Sequence, residues 1–149
     1  MLSRNSNDRF KVLRPHAEGG LGEVSIAQDL ELNREVALKA IRGRYADDAA
    51  SRTRFHLEAE VTGQLEHPGI VPVYGLGSMA SGSPFYVMRF IHGGSLQEAV
   101  KDFHNKNSPQ MSAASRRLKL RSLIRRLIDV CNAIEYAHSR GVRGCPLNS

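Results

Sequence analysis

Two features of this chain have residue types and spacing suited to a phosphorylated ligand. The loop Ala17-Glu18-Gly19-Gly20-Leu21-Gly22 is rich in glycine and runs into Glu23-Val24-Ser25-Ile26-Ala27, a β-type run. Glycines between two strands let backbone N–H groups approach phosphate oxygens with no Cβ in the way. Set against the pattern G-x-G-x-x-G-x-V, the loop places Ala17, Gly19, Gly22 and Val24, so alanine stands where the first glycine would be. By itself the loop serves a tight hairpin equally well. A strand follows it, however, whereas a dinucleotide fold needs a helix directly after its glycines.

The second feature is a lysine with a candidate carboxylate partner. Lys39 ends Val36-Ala37-Leu38-Lys39 and shares a strand face with Ala37. An ammonium among apolar strand residues must find an anion or a route to solvent. A lysine snorkelling at a sheet edge is the plainer alternative. On the helix that follows, Phe55, Glu58, Thr62 and Leu65 fall on one face and Glu60 points nearly the opposite way. An inward carboxylate is costly unless paired, and Lys39 has the correct sign. A surface ion pair worth ~0–1 kcal/mol explains the placement of Glu58 less well.

The elements that must position these groups can be read from pattern. A short strand is expected from Phe10 to Leu13, stopping at Arg14-Pro15, and a second over 23–27. Glu35 to Ile41 alternates, with Val36, Leu38 and Ala40 on one face and Ala37, Lys39 and Ile41 on the other. A helix capped by Asp47 or Asp48 runs to about Leu65 and is stopped at His67-Pro68-Gly69. Strands over 70–76 and 85–90 flank the turn Ser81-Gly82-Ser83-Pro84. This order implies an α+β fold, a mostly antiparallel five-stranded sheet with one packed helix. A short helix from Leu96 to about His104 and a polar linker through Pro109 come next. The last helix, about 115–139, carries Leu120, Leu123, Ile124, Leu127, Cys131 and Ile134 as one stripe.

Composition narrows the function classes. The formal charge of +6 suggests nucleic acid until it is located: six of the 21 Lys and Arg lie at Arg116, Arg117, Lys119, Arg121, Arg125 and Arg126, and the remaining 15 balance the 15 Asp and Glu. A charge run opposite an apolar stripe is usually a solvated helix face, so nucleic acid or an acidic membrane surface is the weaker expectation. No apolar run approaches the ~20 residues of a membrane span, and a cytoplasmic protein is expected. Cys131 is expected as a buried core thiol and Cys145 as incidental, with no metal-type spacing around either.

Taken in order, the glycine loop, V-A-L-K, the helix with an inward Glu, H-P-G-I-V-P-V-Y-G and Y-V-M-R-F-I-H-G-G-S-L resemble a protein kinase small lobe. The likeness is to bacterial serine/threonine kinases of eukaryotic type and runs from about Phe10 to Val142. The polar start of the chain is expected to be a disordered tail over 1–9; the resemblance implies an ATP-binding lobe over 10–91, the first two helices of the helical large lobe over 92–142, and a non-matching tail over 143–149. It implies Gly19, Gly20 and Gly22 over the phosphates and Val24 and Ala37 above adenine. Lys39 would contact the α- and β-phosphates, held by Glu58. Met88 would be the gatekeeper, and the backbone of Arg89, Phe90 and Ile91 the adenine-binding hinge.

The likeness stops after Val142. There the family continues with H-R-D-x-x-x-x-N, then D-F-G and A-P-E, whereas this sequence reads Arg143-Gly144-Cys145-Pro146-Leu147-Asn148-Ser149. Neither the base Asp nor the magnesium ligands have a counterpart, so Mg-ATP is expected from the family without its metal ligands. The expectation is a truncated or frameshifted kinase, inactive by itself. The alternative is a pseudokinase-like module docking on a full-length kinase, with another chain covering the terminal helix.

Overall fold

The computed structural model describes residues 9–105 and 112–142. The expectations for the tail over 1–8, for linker residues 106–111 and for 143–149 lie outside the described residues. The chain divides into two units, one holding the described residues up to Ile91 with Val142, the other His92–Gly141.

The first unit is built on strands β1 (Phe10–Glu18), β2 (Gly22–Asp29), β3 (Arg34–Ile41), β4 (Val73–Ser78) and β5 (Pro84–Arg89). They form one antiparallel sheet in the order β1-β2-β3-β5-β4. β3 is central, and its Val36, Ala37, Leu38, Ala40 and Ile41 are all buried, so both faces are covered. One face gathers Ala27, Val36, Leu38, Ala40, Phe85 and Val87, with Phe10 edge-on to Phe85 at 6.1 Å. Gly77 faces Phe85 across the β4–β5 pair, where a Cβ would lie 2.4 Å from Phe85 Cζ; only glycine admits the ring there. The opposite face gathers Ile41, Ala46, Phe55, Ala59 and Tyr86.

That second face is covered by helices α1 (Gly43–Ala46) and α2 (Ala49–Gly63). Asp48 caps α2 by accepting from the Ser51 backbone N–H at 2.8 Å. Phe55 and Ala59, one turn apart, are the residues α2 buries, and the small Ala59 lets the helix approach the sheet. Arg52 fixes the helix end by donating to the carbonyls of Ala46 and Gly82, both at 3.0 Å.

Several sequence expectations need correction. β1 does not stop at Arg14-Pro15 but continues to Glu18, with register shifts between Val12 and Arg14 and between Pro15 and Ala17. Proline is tolerated because β1 is an edge strand and the irregular pairing there asks for no N–H from Pro15. α2 ends at Gly63, before Pro68 rather than because of it, and α1 was not anticipated. β4 begins at Val73, not at Ile70, since Ile70 closes a turn onto the His67 carbonyl at 3.0 Å.

Asp29 ends β2 with its side chain 1% exposed. The Arg9 guanidinium grips it with two hydrogen bonds of 3.0 and 2.8 Å, and the backbone N–H groups of Glu31 and Leu32 donate to it as well. Arg9, assigned with the tail from sequence, is therefore tied to the sheet. The Arg9 hydrogen bonds hold the Asp29 carboxyl below its ordinary range.

In the second unit, helix α3 (Leu96–His104) opens with a capping box between Ser95 and Glu98, and α4 (Ala113–Ser139) is capped by Ser112. Arg116 lies over the Phe103 ring at 4.8 Å, linking the two helices. Cys131 is exposed, not a core thiol; of α4, Ala133 is the buried residue, while Leu120, Ile124 and Leu127 are exposed.

Two outcomes follow. Asp29→Ala should destabilise the first unit by about 1–3 kcal/mol in denaturant unfolding, the lower part of the range reflecting the exposure of Arg9. Because the folded carboxyl is depressed, its stabilisation is full above the unfolded value of about 3.9 and is lost as pH falls through the lower folded value. The Asp29→Ala variant should therefore show a flatter acid limb than the parent. Cys131 in the native chain should react with a thiol reagent at a rate close to that in denaturant; strong protection would contradict its exposure.

Candidate functional site

The site is a consequence of sheet register. Val24 on β2, Lys39 on β3 and Tyr86 on β5 are successive cross-strand partners and share the face covered by α2. Two residues along the same face, Ile26, Ala37 and Met88 form a second cross-strand row. Val24, Ala37, Lys39 and Met88, separated by up to 64 positions in sequence, thus fall on one patch of the sheet. Met88 packs against the cluster around Phe55 and Tyr86.

Lys39 Nζ donates to Glu58 Oε1 at 2.5 Å, with side-chain exposures of 12% for the lysine and 26% for the glutamate. A pair this sheltered is far less screened than one on the open surface. Tyr86 Oη also donates to Glu58 Oε1, at 2.7 Å. Glu60, by contrast, is exposed, as its place on the helix face required.

The glycine loop spans the three residues between β1 and β2 and is closed by the Gly19 N–H donating to the Gly22 carbonyl at 2.9 Å. The Arg42 N–H reaches back to the Leu21 carbonyl at 2.9 Å, and the Arg42 side chain pairs with Glu18. Both contacts hold the loop against the end of β3. Gly22 is buried, and a Cβ there would sit 2.9 Å from Lys39 Cε and 3.0 Å from the Ala40 carbonyl oxygen. Glycine at this position keeps open the space through which the lysine passes. Ala17 lies on β1 opposite Val24 and is exposed.

Past β5, Phe90 receives the His16 ring edge-on at 5.3 Å, which ties the loop-bearing strand to the chain leaving the sheet. The Arg89 N–H donates to the Pro72 carbonyl at 3.1 Å, and Ile91 is exposed. Sequence reasoning had overlooked Tyr86, Arg42 and His16. Tyr86 was legible only in part: on β5 it alternates onto the face of Met88, but its opposition to Lys39 depends on which strand lies beside β3.

The donor set suits an anion and not a metal. An ammonium beside a glycine-rich turn can meet phosphate oxygens. Among the described residues no group of three or more His, Cys, Asp and Glu is placed to hold a metal ion, so no step is assigned to magnesium.

Comparison with known proteins bears on the family and the fold. The family model for protein tyrosine and serine/threonine kinase matches residues 11–142. The chain is 33% identical over 138 residues to the serine/threonine-protein kinase PknD of Protochlamydia amoebophila, covering 91% of this chain and 14% of that protein. Against PknD of Chlamydia muridarum it is 36% identical over 138 residues, covering 90% and 14%. Among solved structures it is similar to the Mycobacterium tuberculosis PknI kinase domain, with a TM-score of 0.62 and 25% identity, covering 90% of this chain and 49% of that one. The chain thus spans about one seventh of the length of these curated relatives.

The ion pair can be checked without any ligand. In amine-acylation footprinting, Lys39 should label several-fold more slowly than the exposed Lys11 and Lys101. Glu58→Ala, or Gly22→Val, which pushes a side chain into the lysine, should raise its rate. Labelling of Lys39 as fast as Lys11 in the parent chain would contradict the contact.

Proposed function

Since the chain belongs to the protein tyrosine and serine/threonine kinase family, we propose that it is the ATP-binding portion of a serine/threonine kinase. The observation that carries this reading is the Lys39–Glu58 contact beneath a glycine loop shaped to let the lysine pass. In this reading the backbone of Gly19, Gly20 and Gly22 covers the phosphates, and Lys39 meets the α- and β-phosphates while Glu58 holds it. Val24 and Ala37 form the ceiling over adenine, Met88 closes the back of the pocket, and the backbone of Arg89, Phe90 and Ile91 meets the adenine edge.

Phosphoryl transfer to Ser or Thr is the reaction of the whole family domain. It needs a base at the acceptor hydroxyl and metal ligands at the phosphates. The 149 residues contain no H-R-D or D-F-G motif. A missing base alone costs roughly 10²–10⁴ in rate. This polypeptide by itself therefore binds nucleotide without useful turnover. A second reading, a non-catalytic module that docks on another kinase chain, draws on the exposed apolar side chains of α4, among them Leu118, Ile128 and Val130.

Mg-ATP should raise the melting temperature of the chain, by the equivalent of about 2.7 kcal/mol at a hundredfold excess over Kd. Lys39→Met should abolish that shift. No shift, or an equal shift in the variant, rejects the ATP site. Radiolabelled phosphate should not appear on a generic Ser/Thr substrate; incorporation by the purified chain would refute the proposed lack of turnover.

A further inference from the structure

We propose that Tyr86 is a positioning residue for the Lys39–Glu58 pair, a neutral second tie that keeps the Glu58 carboxylate, and with it helix α2, turned toward the sheet. The inference deepens the ATP-site reading and rests on it for its consequence, although its geometry stands independently.

Lys39 Nζ and Tyr86 Oη converge on the same oxygen, Glu58 Oε1, at 2.5 and 2.7 Å. The two donors are direct cross-strand partners on β3 and β5, and Lys39 Nζ lies 5.7 Å from the centre of the Tyr86 ring. Tyr86 is 4% exposed, and its ring leans on Phe55 at 5.3 Å, within the cluster that also holds Ile41, Ala46 and Ala59. Phe55 and Ala59 belong to the same helix as Glu58. The ring therefore packs against α2 while its hydroxyl bonds to α2, so the hydroxyl has little freedom to leave.

The two ties differ physically. The ion pair is weakened by salt, and it shares its cation with the phosphates once nucleotide is bound. An O–H···O⁻ hydrogen bond from a buried phenol brings no net charge and is charge-assisted through the acceptor alone. It holds Glu58 in place whether or not Lys39 turns to the phosphates. Glu58 is then preset toward Lys39 by β3, β5 and α2 themselves, before nucleotide arrives. Apparent affinity scales with the fraction of chains in the binding-competent arrangement, so losing this preset weakens binding without removing any group that touches ATP.

The test is a double-mutant cycle in the 149-residue chain. Tyr86→Phe keeps the ring and removes the hydroxyl; Mg-ATP Kd should rise about three- to tenfold, and the rise should be larger at high salt. In a Glu58→Ala background the same substitution should add nothing, because the hydroxyl acts through that carboxylate. Equal losses in both backgrounds, or no loss in the parent, overturn the proposal. Hydrogen exchange of α2 amides around Glu58, measured without nucleotide, should accelerate with the same background dependence. That arm separates the two failures: a parent chain that does not bind Mg-ATP sinks the ATP site, while the exchange result still decides the role of Tyr86. Should Tyr86→Phe not fold, the NMR signal of the Tyr86 phenol carbon in the Tyr86-containing chain decides: it should move on Glu58→Ala, and a stationary signal overturns the hydrogen bond.

Discussion

An ammonium on the central strand of a sheet is the constraint around which the first unit is organised. Lys39 sits on β3 with Ala37 and Ile41 on its own face and Leu38 and Ala40 on the other. In such surroundings an unpaired charge is costly, and the cost is relieved by a carboxylate that only a helix lying across the sheet can deliver. α2 delivers it because Phe55 and Ala59 seat the helix and leave Glu58 at the margin of the contact, where it reaches Lys39 and stays partly solvated. Seating and pairing depend on each other. Without the apolar contact the carboxylate would sit in water, and without the carboxylate the helix would cover an uncompensated cation.

The rest of the unit keeps this contact in register. β2 and β5 flank β3, so the residues opposite Lys39 are Val24 and Tyr86, and those opposite Ala37 are Ile26 and Met88. β1, irregular and at the edge, carries the glycine loop and is held at both ends. Arg9 grips Asp29 where β1 begins, and Glu18 pairs with Arg42 where it ends. An edge strand with two register shifts can bend without disturbing the inner ladder.

The chain belongs to the kinase family, and the proposed nucleotide role of these contacts rests on the family's use of a strand lysine oriented by a helix glutamate. The second unit is compact by itself. Its α4 carries a basic face and exposed apolar residues, and its relatives extend well beyond the matched region, the chain covering 49% of one solved kinase domain.

Much of this was legible in the residues themselves. Alternation over 35–41 set the two faces of β3, the spacing of Phe55, Glu58 and Thr62 set the inward side of α2, and the glycines with the strand after them marked the loop. These signals are local, since side-chain direction follows from the period of the element. Pro15 misled because its effect on a strand depends on whether the strand is at an edge, and Cys131 misled because an apolar stripe says which residues would bury together but not what covers them. Sheet order is likewise non-local. That β5 rather than β4 lies against β3 decides that Tyr86, and not Leu76, faces Lys39, and no periodicity within either strand encodes that choice. The sequence by itself determined the principal strands and helices, the two candidate partners of the ion pair and the kinship. The tertiary structure alone decided which neighbours share the Glu58 oxygen, because hydrogen bonds of under 3 Å between residues 19 and 28 positions apart exist only once the strands have been laid side by side.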